Sequence, residues 1–170
     1  MNNMNITIRR LTTDDDIKRA CAMTIRGSAD KVSMAALYRA EHSPIRCDIY
    51  WIELIGVQSF VSVHFTRHKI GVDHYVLSNR DDRGGVNADR DTPVNHGMII
   101  NAQALINMSR KRLCLKAHDA TVMWWNAVRA AVREVNPTLA QFMVPECTYR
   151  GNVCHEMRPC KEGPENRRKK

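Results

Sequence analysis

Arg67, His68 and Lys69 place three cationic or titratable side chains in a row, directly after the apolar run Val57 to Phe65. Such neighbours repel one another, and a helix C-terminus compensates them only in part. An anionic group such as a phosphate satisfies them better, because guanidinium and ammonium groups bond its oxygens directly. His64 lies one helical turn before the triplet. A second basic set, Arg110-Lys111-Arg112, closes a later segment that contains Asn101 and Asn107. An asparagine inside a helix is unfavourable without a partner, so both read as candidates for hydrogen bonding to a ligand. Between the two sets, Ser78 and Arg80 form a Ser-x-Arg pair. Cys114, Cys147, Cys154 and Cys160 are a candidate zinc set, since four thiolates hold zinc tetrahedrally. Their spacing lacks the C-x-x-C pair, and plain buried thiols are the alternative.

Composition sets the frame for these residues. A chain of 170 residues suffices for one domain with a proper core, and 44% hydrophobic with 26% charged residues is ordinary for a globular protein. No apolar run is long enough to span a membrane, and the N-terminus lacks the apolar region of a signal peptide, so a cytoplasmic setting is expected. The six cysteines are then thiols or metal ligands rather than disulfides. Net charge is +8, and Arg167, Arg168, Lys169 and Lys170 supply four of the positive charges. We expect residues 161–170 to be a disordered basic tail, available to nucleic acid, following a single domain over residues 1–160. The remaining mildly basic globule suits small anionic ligands.

The elements that must position the candidate residues follow from periodicity. Asn5 to Arg10 alternates as a strand, and Thr12 or Thr13 caps a helix whose first turn is Asp14-Asp15-Asp16 and which runs to about Arg26. Ser33 to Ala40 reads as a second helix, Arg46 to Ile55 as a strand ended by Gly56, and Val57 to His68 as a helix. Gly71 to Pro93 is polar and reads mostly as loop. From about Asn95, the residues Met98, Ile99, Ala102, Leu105, Ile106, Ser109 and Leu113 recur at helical spacing. A further helix covers about Asp119 to Val135, and Asn136-Pro137 opens a last short helix to about Phe142. Adjacent Trp124 and Trp125 are not expected to face the core together, which marks one of them for an oligomer contact. An α+β fold results, with an antiparallel sheet flanked by long helices.

In this order the motifs resemble those of flavin-dependent thymidylate synthases. The family's Ser-Pro-Leu-Glu-His lead-in to a strand is similar to Ser43-Pro44-Ile45-Arg46-Cys47, and its Arg-His-Arg at a helix end to Arg67-His68-Lys69. Its helix opening Asn-Ala-Arg resembles Asn101-Ala102-Gln103, with the second asparagine at Asn107 and the terminal arginine at Arg112. The family's Ser-x-Arg matches Ser78 and Arg80 when one inserted residue is allowed. This chain departs from the pattern at His64, Cys47 and Gln103, where the family carries glutamine, histidine and arginine.

The resemblance implies methylation of deoxyuridine monophosphate, or a related pyrimidine nucleotide. FAD is the implied cofactor, and methylenetetrahydrofolate and NADPH are the co-substrates. It implies flavin contacts from Arg67, His68, Lys69, Asn101 and Asn107. It places His64, Ser78, Arg80 and Arg112 on the nucleotide, with Ser78 and Arg112 at the reacting pyrimidine. It also implies a homotetramer with sites shared between subunits. The departures fit equally a catalytically silent relative, serving as a structural or binding protein in a larger assembly.

Overall fold

The computed structural model describes residues 4–26, 29, 31–85 and 89–160. The expected basic tail lies outside the described residues. Strand β1 (Asn5–Arg10) leads to helix α1 (Asp14–Ala22), helix α2 (Met34–Ala40) and a 3-10 turn over Ser43–Cys47. Strand β2 (Ile49–Gln58), helix α3 (Ser59–Thr66) and strand β3 (Val72–Val76) follow. Strand β4 (Pro93–Asn101) then runs directly into helix α4 (Ala102–Arg112). Helices α5 (Asp119–Val135), α6 (Pro137–Ala140) and α7 (Glu146–Tyr149) complete the fold. The four strands form one antiparallel sheet in the order β1-β2-β4-β3. The architecture is the expected α+β fold with an antiparallel sheet and flanking helices.

Local chemistry explains the well-defined elements. Thr13 caps α1 through a capping box: its hydroxyl accepts from the Asp16 N–H, while the Asp16 carboxylate accepts from the Thr13 N–H at 2.8 Å. Ser33 caps α2, and Asn136 caps α6 with its side-chain oxygen 3.0 Å from the Leu139 nitrogen. Gly56 does not end β2. It adopts φ +74° within the strand, at a register shift between Leu54 and Val57 that lets pairing with β4 continue to Gln58.

The main correction concerns residues 71–101. Val72–Val76 forms the edge strand β3 rather than loop, and Pro93–Asn101 forms β4, in the middle of the sheet, rather than the start of a helix. Val94, His96, Met98 and Ile100 are buried and alternate with more exposed neighbours. Met98 and Ile99 also satisfy a helical repeat running into α4, and buried His96 hides the period-two pattern. The helix ends shift less: the helix expected to reach Arg26 ends at Ala22, and that expected over Val57 to His68 occupies Ser59–Thr66.

One core fills the space between the sheet and the helices. Tyr50, Ile52 and Leu54 of β2 and Met98 and Ile100 of β4 meet Phe65, Leu105, Trp125, Val128 and Val132. Both tryptophans are buried, contrary to the sequence expectation, because α5 is enclosed on two sides. The Trp125 indole donates to Ser109 Oγ at 2.9 Å and the Trp124 indole to Gln58 Oε1 at 2.8 Å, so neither N–H is left unpaired.

A polar hub sits inside this core. Asp48 is fully buried and its carboxylate accepts from the hydroxyls of Tyr38 at 2.5 Å and Tyr50 at 2.7 Å, and from Arg10 Nε at 2.8 Å. The Asn136 amide donates to both tyrosine oxygens. Four separate parts of the chain are thereby tied to one carboxylate. The Asp48 carbonyl accepts from the Ala102 N–H at 2.9 Å and anchors the start of α4, the helix that carries much of the site.

Candidate functional site

Two basic helix ends meet. Arg112 closes α4 and His68 follows α3 by two residues, and Arg112 Nε–H donates to His68 Nε2 at 3.0 Å. An imidazole nitrogen that accepts carries a lone pair, so His68 is neutral with its proton on Nδ1. Burial, then the charges of Arg112 and His74, hold the His68 pKa down at about 4. Burial and the nearby Arg67 charge also disfavour the Arg112 cation. Arg112 has no carboxylate partner among the described residues, although it is half-buried. Arg67 is exposed beside it. A half-buried guanidinium with a second guanidinium nearby and no acid is short of an anion.

The segment after His68 runs along α4 toward its other end. There Gly71 accepts from the Asn101 N–H at 2.9 Å, and Asn101 Oδ1 caps α4 through the Ala104 N–H at 2.8 Å. Gly71 has φ +75°, and a Cβ on it would stand 2.6 Å from the Asn101 side chain. Only glycine combines this backbone conformation with so close an approach. From Asn101 to Arg112 the site is about 16 Å long at the helical rise per residue. A cleft of about 520 Å³ opens at the Asn101 end, lined by Glu41, Arg46, Ile70, Gly71, Asn101, Gln103 and Asn107.

The cleft carries its own polar network. Glu41 caps α2 in the left-handed conformation (φ 50°), which turns its carboxylate to Arg110 and to the Gln103 amide at 2.5 Å. Asn107 accepts from Gln103 and Arg110, each at 3.2 Å. Arg110 also stacks over the Tyr149 ring at 3.7 Å. Arg110 is therefore balanced by Glu41, whereas exposed Arg46 has no ion pair among the described residues and remains the cleft's available cation.

The sequence candidates thus divide. His68 and Arg112 touch, and Asn101 and Asn107 line the cleft, with Arg67 and Lys69 exposed beside them. His64 Nδ1 is 2.8 Å from Thr121 Oγ1 on α5, and burial, then the charges of Arg112 and Arg67, lower its pKa. Ser78 and Arg80 lie beyond Val76, the end of β3 opposite Gly71, and Arg80 forms a two-pronged pair with Asp82 at 2.6 and 2.9 Å. Cys114 is near Cys147, Cys160 and Glu156, and burial chiefly raises its pKa. No group of three or more His, Cys, Asp or Glu side chains is placed to hold a metal ion among the described residues, so the zinc expectation finds no supporting geometry.

Sequence reasoning missed Glu41, Arg46, Gly71, His74 and His96. Gly71, two residues after the basic triplet, was a visible signal. Arg46 lies in the 3-10 turn Ser43–Cys47, and the others depend on strand β3, on β4 and on a left-handed backbone at Glu41, none of which has a local sequence mark.

No protein-family model matches the chain, and no curated protein matches it in sequence. Solved structures do match its fold. Thymidylate synthase X (ThyX) from Helicobacter pylori, crystallised with FAD and dUMP, superposes with a TM-score of 0.64 at 16% identity, covering 85% of this chain and 98% of that one. A second structure of flavin-dependent ThyX from the same organism, complexed with FAD and dUMP, gives a TM-score of 0.67 at 14% identity over 83% and 100% of the two chains. The UMP/dUMP methylase PolB from Streptomyces cacaoi, bound with 5-Br dUMP, gives 0.61 at 13% identity over 81% and 94%. On this likeness, and on the sheet and helix order above, the chain has the fold of the flavin-dependent thymidylate synthases.

Proposed function

We propose that the protein binds FAD and a pyrimidine nucleotide and methylates the nucleotide, deoxyuridine monophosphate or a close relative. Methylenetetrahydrofolate is the proposed carbon donor and NADPH the reductant. The contact between His68 and Arg112 carries the reading, because it brings two basic helix ends together while Arg112 has no carboxylate partner among the described residues. Phosphate or pyrophosphate oxygens would balance that charge. The cleft that adjoins Gly71 and Asn101 leaves room for a planar group. The residues present therefore fit a phosphorylated ring ligand.

In this reading Arg67, His68 and Lys69 hold the cofactor's anionic part, while Asn101 and Asn107 offer amide groups to its ring. Arg112 orients the nucleotide and stabilises negative charge that develops on the pyrimidine. When bound, the flavin supplies the reducing equivalents that complete the new methyl group. His68 stays neutral and gives its Nδ1–H as a donor. Ser78 and Arg80 follow β3 at the end away from Gly71, and in the proposed homotetramer they serve the site of a neighbouring copy.

The paired Glu41 and Arg110, with Gln103 and Asn107 already bonded to them, favour a second reading, a non-catalytic relative with a self-satisfied cleft. One experiment separates the two. The purified protein is titrated with FAD, then with dUMP, and its absorbance is followed. Flavin uptake with a spectral response to dUMP supports the enzyme. Protein that neither contains nor takes up FAD overturns the first reading in favour of the second.

A further inference from the structure

Behind His68, a chain of polar groups crosses the packed interior between α3 and the sheet. Ser62 Oγ on α3 is 2.9 Å from His96 Nδ1 on β4, and His96 Nε2 is 2.8 Å from His74 Nδ1 on β3. His74 Nε2 is in turn 2.8 Å from the carbonyl oxygen of His68. Ser62 and His96 are buried and His74 is half-buried. The two imidazoles meet edge to face at 5.0 Å.

The last acceptor sets the order of the chain. A carbonyl cannot donate, so His74 carries its hydrogen on Nε2. With His74 neutral, its Nδ1 is a lone pair, and the hydrogen between the two rings belongs to His96 Nε2. His96 Nδ1 then accepts from the Ser62 hydroxyl. Every buried group is satisfied in this order without any net charge. Burial holds His96 neutral, with a pKa near 4. A charged His74 reverses the order beyond itself: its Nδ1–H donates to His96 Nε2, and His96 Nδ1–H donates to Ser62.

His68 is therefore gripped twice. The sheet holds its carbonyl through His74, and α4 holds its imidazole through Arg112. We propose that His74, ordered by His96 and Ser62, is a positioning residue that presents His68 to the ligand and to Arg112. The proposal rests on the reading of His68 as a ligand contact, since His74 itself touches only protein groups.

The test uses the full chain labelled with 15N in its histidines. The ring nitrogens should report a hydrogen on His74 Nε2, bonded to the His68 carbonyl. A His74 ring that carries its hydrogen on Nδ1 alone overturns the relay, and this measurement needs no variant. Two substitutions then probe the carbonyl bond. His74→Gln keeps an amide donor near the Nε2 position, whereas His74→Asn keeps an acceptor near Nδ1 and leaves the carbonyl without its donor. FAD affinity should stay within about twofold in His74→Gln and fall about three- to tenfold in His74→Asn, the effect of one neutral hydrogen bond. The His68 ring signals should move only in His74→Asn. Equal behaviour of the two variants overturns the positioning role. If the unmodified chain takes up no FAD, the functional reading fails, and the His68 signals still decide whether His74 positions it.

Discussion

Arg112 and His68 lie 44 positions apart in the chain, yet their side chains meet at 3.0 Å, with a neutral imidazole as the acceptor. An arginine that spends one N–H on a neutral ring keeps its charge for something else. The contact orients the guanidinium without neutralising it, which suits a group that must receive an anion. Glu41 does the opposite for Arg110, so two arginines in the same last turn of α4 differ in this respect.

Removing the Arg112 cation should therefore weaken ligand binding more than it weakens the fold. Arg112→Ala should lower affinity for FAD or dUMP by about ten- to a hundredfold, the usual range for a hydrogen bond to a charged group. Arg112→Lys should recover only part of this, because an ammonium cannot reproduce the directed fork. His68 should also become more basic in Arg112→Ala, since one of the causes of its low pKa is gone. Calorimetric titration and the His68 NMR signal check both outcomes, and unchanged affinity would remove Arg112 from the site.

Acid should destabilise the protein before the carboxylates titrate. His68 and His96 both have pKa values near 4 in the folded chain, below the 6.5 of an unperturbed histidine. The unfolded chain then binds more protons between these values, so stability is full above about pH 6.5 and falls as pH drops toward 4. For buried His96 alone, the loss at pH 5 is about 2 kcal/mol. Urea midpoints at pH 7 and pH 5 measure it. His96→Gln should flatten the curve, and a flat curve in the unmodified chain would show that these rings do not stay neutral.

Gly71 should tolerate no side chain. Gly71→Ala must place a Cβ 2.6 Å from the Asn101 amide while holding φ at +75°. The backbone conformation alone costs about 1 kcal/mol or more, and displacing the Asn101 cap adds about another 1 kcal/mol. Thermal unfolding should show the sum, and FAD uptake should fall with it because Asn101 lines the cleft. An unshifted melting temperature would mean that the tight approach at Gly71 relaxes freely.

How far the sequence disclosed this arrangement depends on where each signal lies. Arg67, His68 and Arg112 were legible because basic residues at helix ends are local features. Helices α1, α2 and α5 were legible from caps and apolar stripes. Strand β4 was not, because its apolar residues serve either period and its buried histidine reads as polar. With β3 also taken for loop, His74 and His96 had no shared surface on which to meet. Asp48 was equally hidden: apart from Tyr50, two residues on, its partners Arg10, Tyr38 and Asn136 come from segments that only tertiary packing joins.

Asp48 should accordingly be among the costliest positions to change. Asp48→Ala removes the acceptor of two buried hydroxyls and leaves Arg10 without its inner partner. Breaking a buried pair by deleting one member costs about 3–5 kcal/mol. Denaturant unfolding should show a loss of this size, whereas Asp14→Ala, which removes only the outer, exposed partner of Arg10, should stay within about 1 kcal/mol. Similar losses in the two variants would show that the hub adds nothing beyond a surface ion pair.

The positions of Ser78 and Arg80 support a final prediction about assembly. They follow β3 at the end opposite Gly71, and Arg80 is paired with Asp82 rather than with a group of the site. If the nucleotide site is shared between copies, Arg80 and Arg112 act on it from different subunits. Arg80→Ala and Arg112→Ala chains should each lack methylation activity. Unfolded together in equal amounts and refolded, they should regain about a quarter of the unmodified activity, because random pairing reunites both arginines at that share of sites. Recovery requires no new contact, only a site shared between copies. Mixed oligomers that form but stay inactive would place Ser78 and Arg80 outside the nucleotide site altogether.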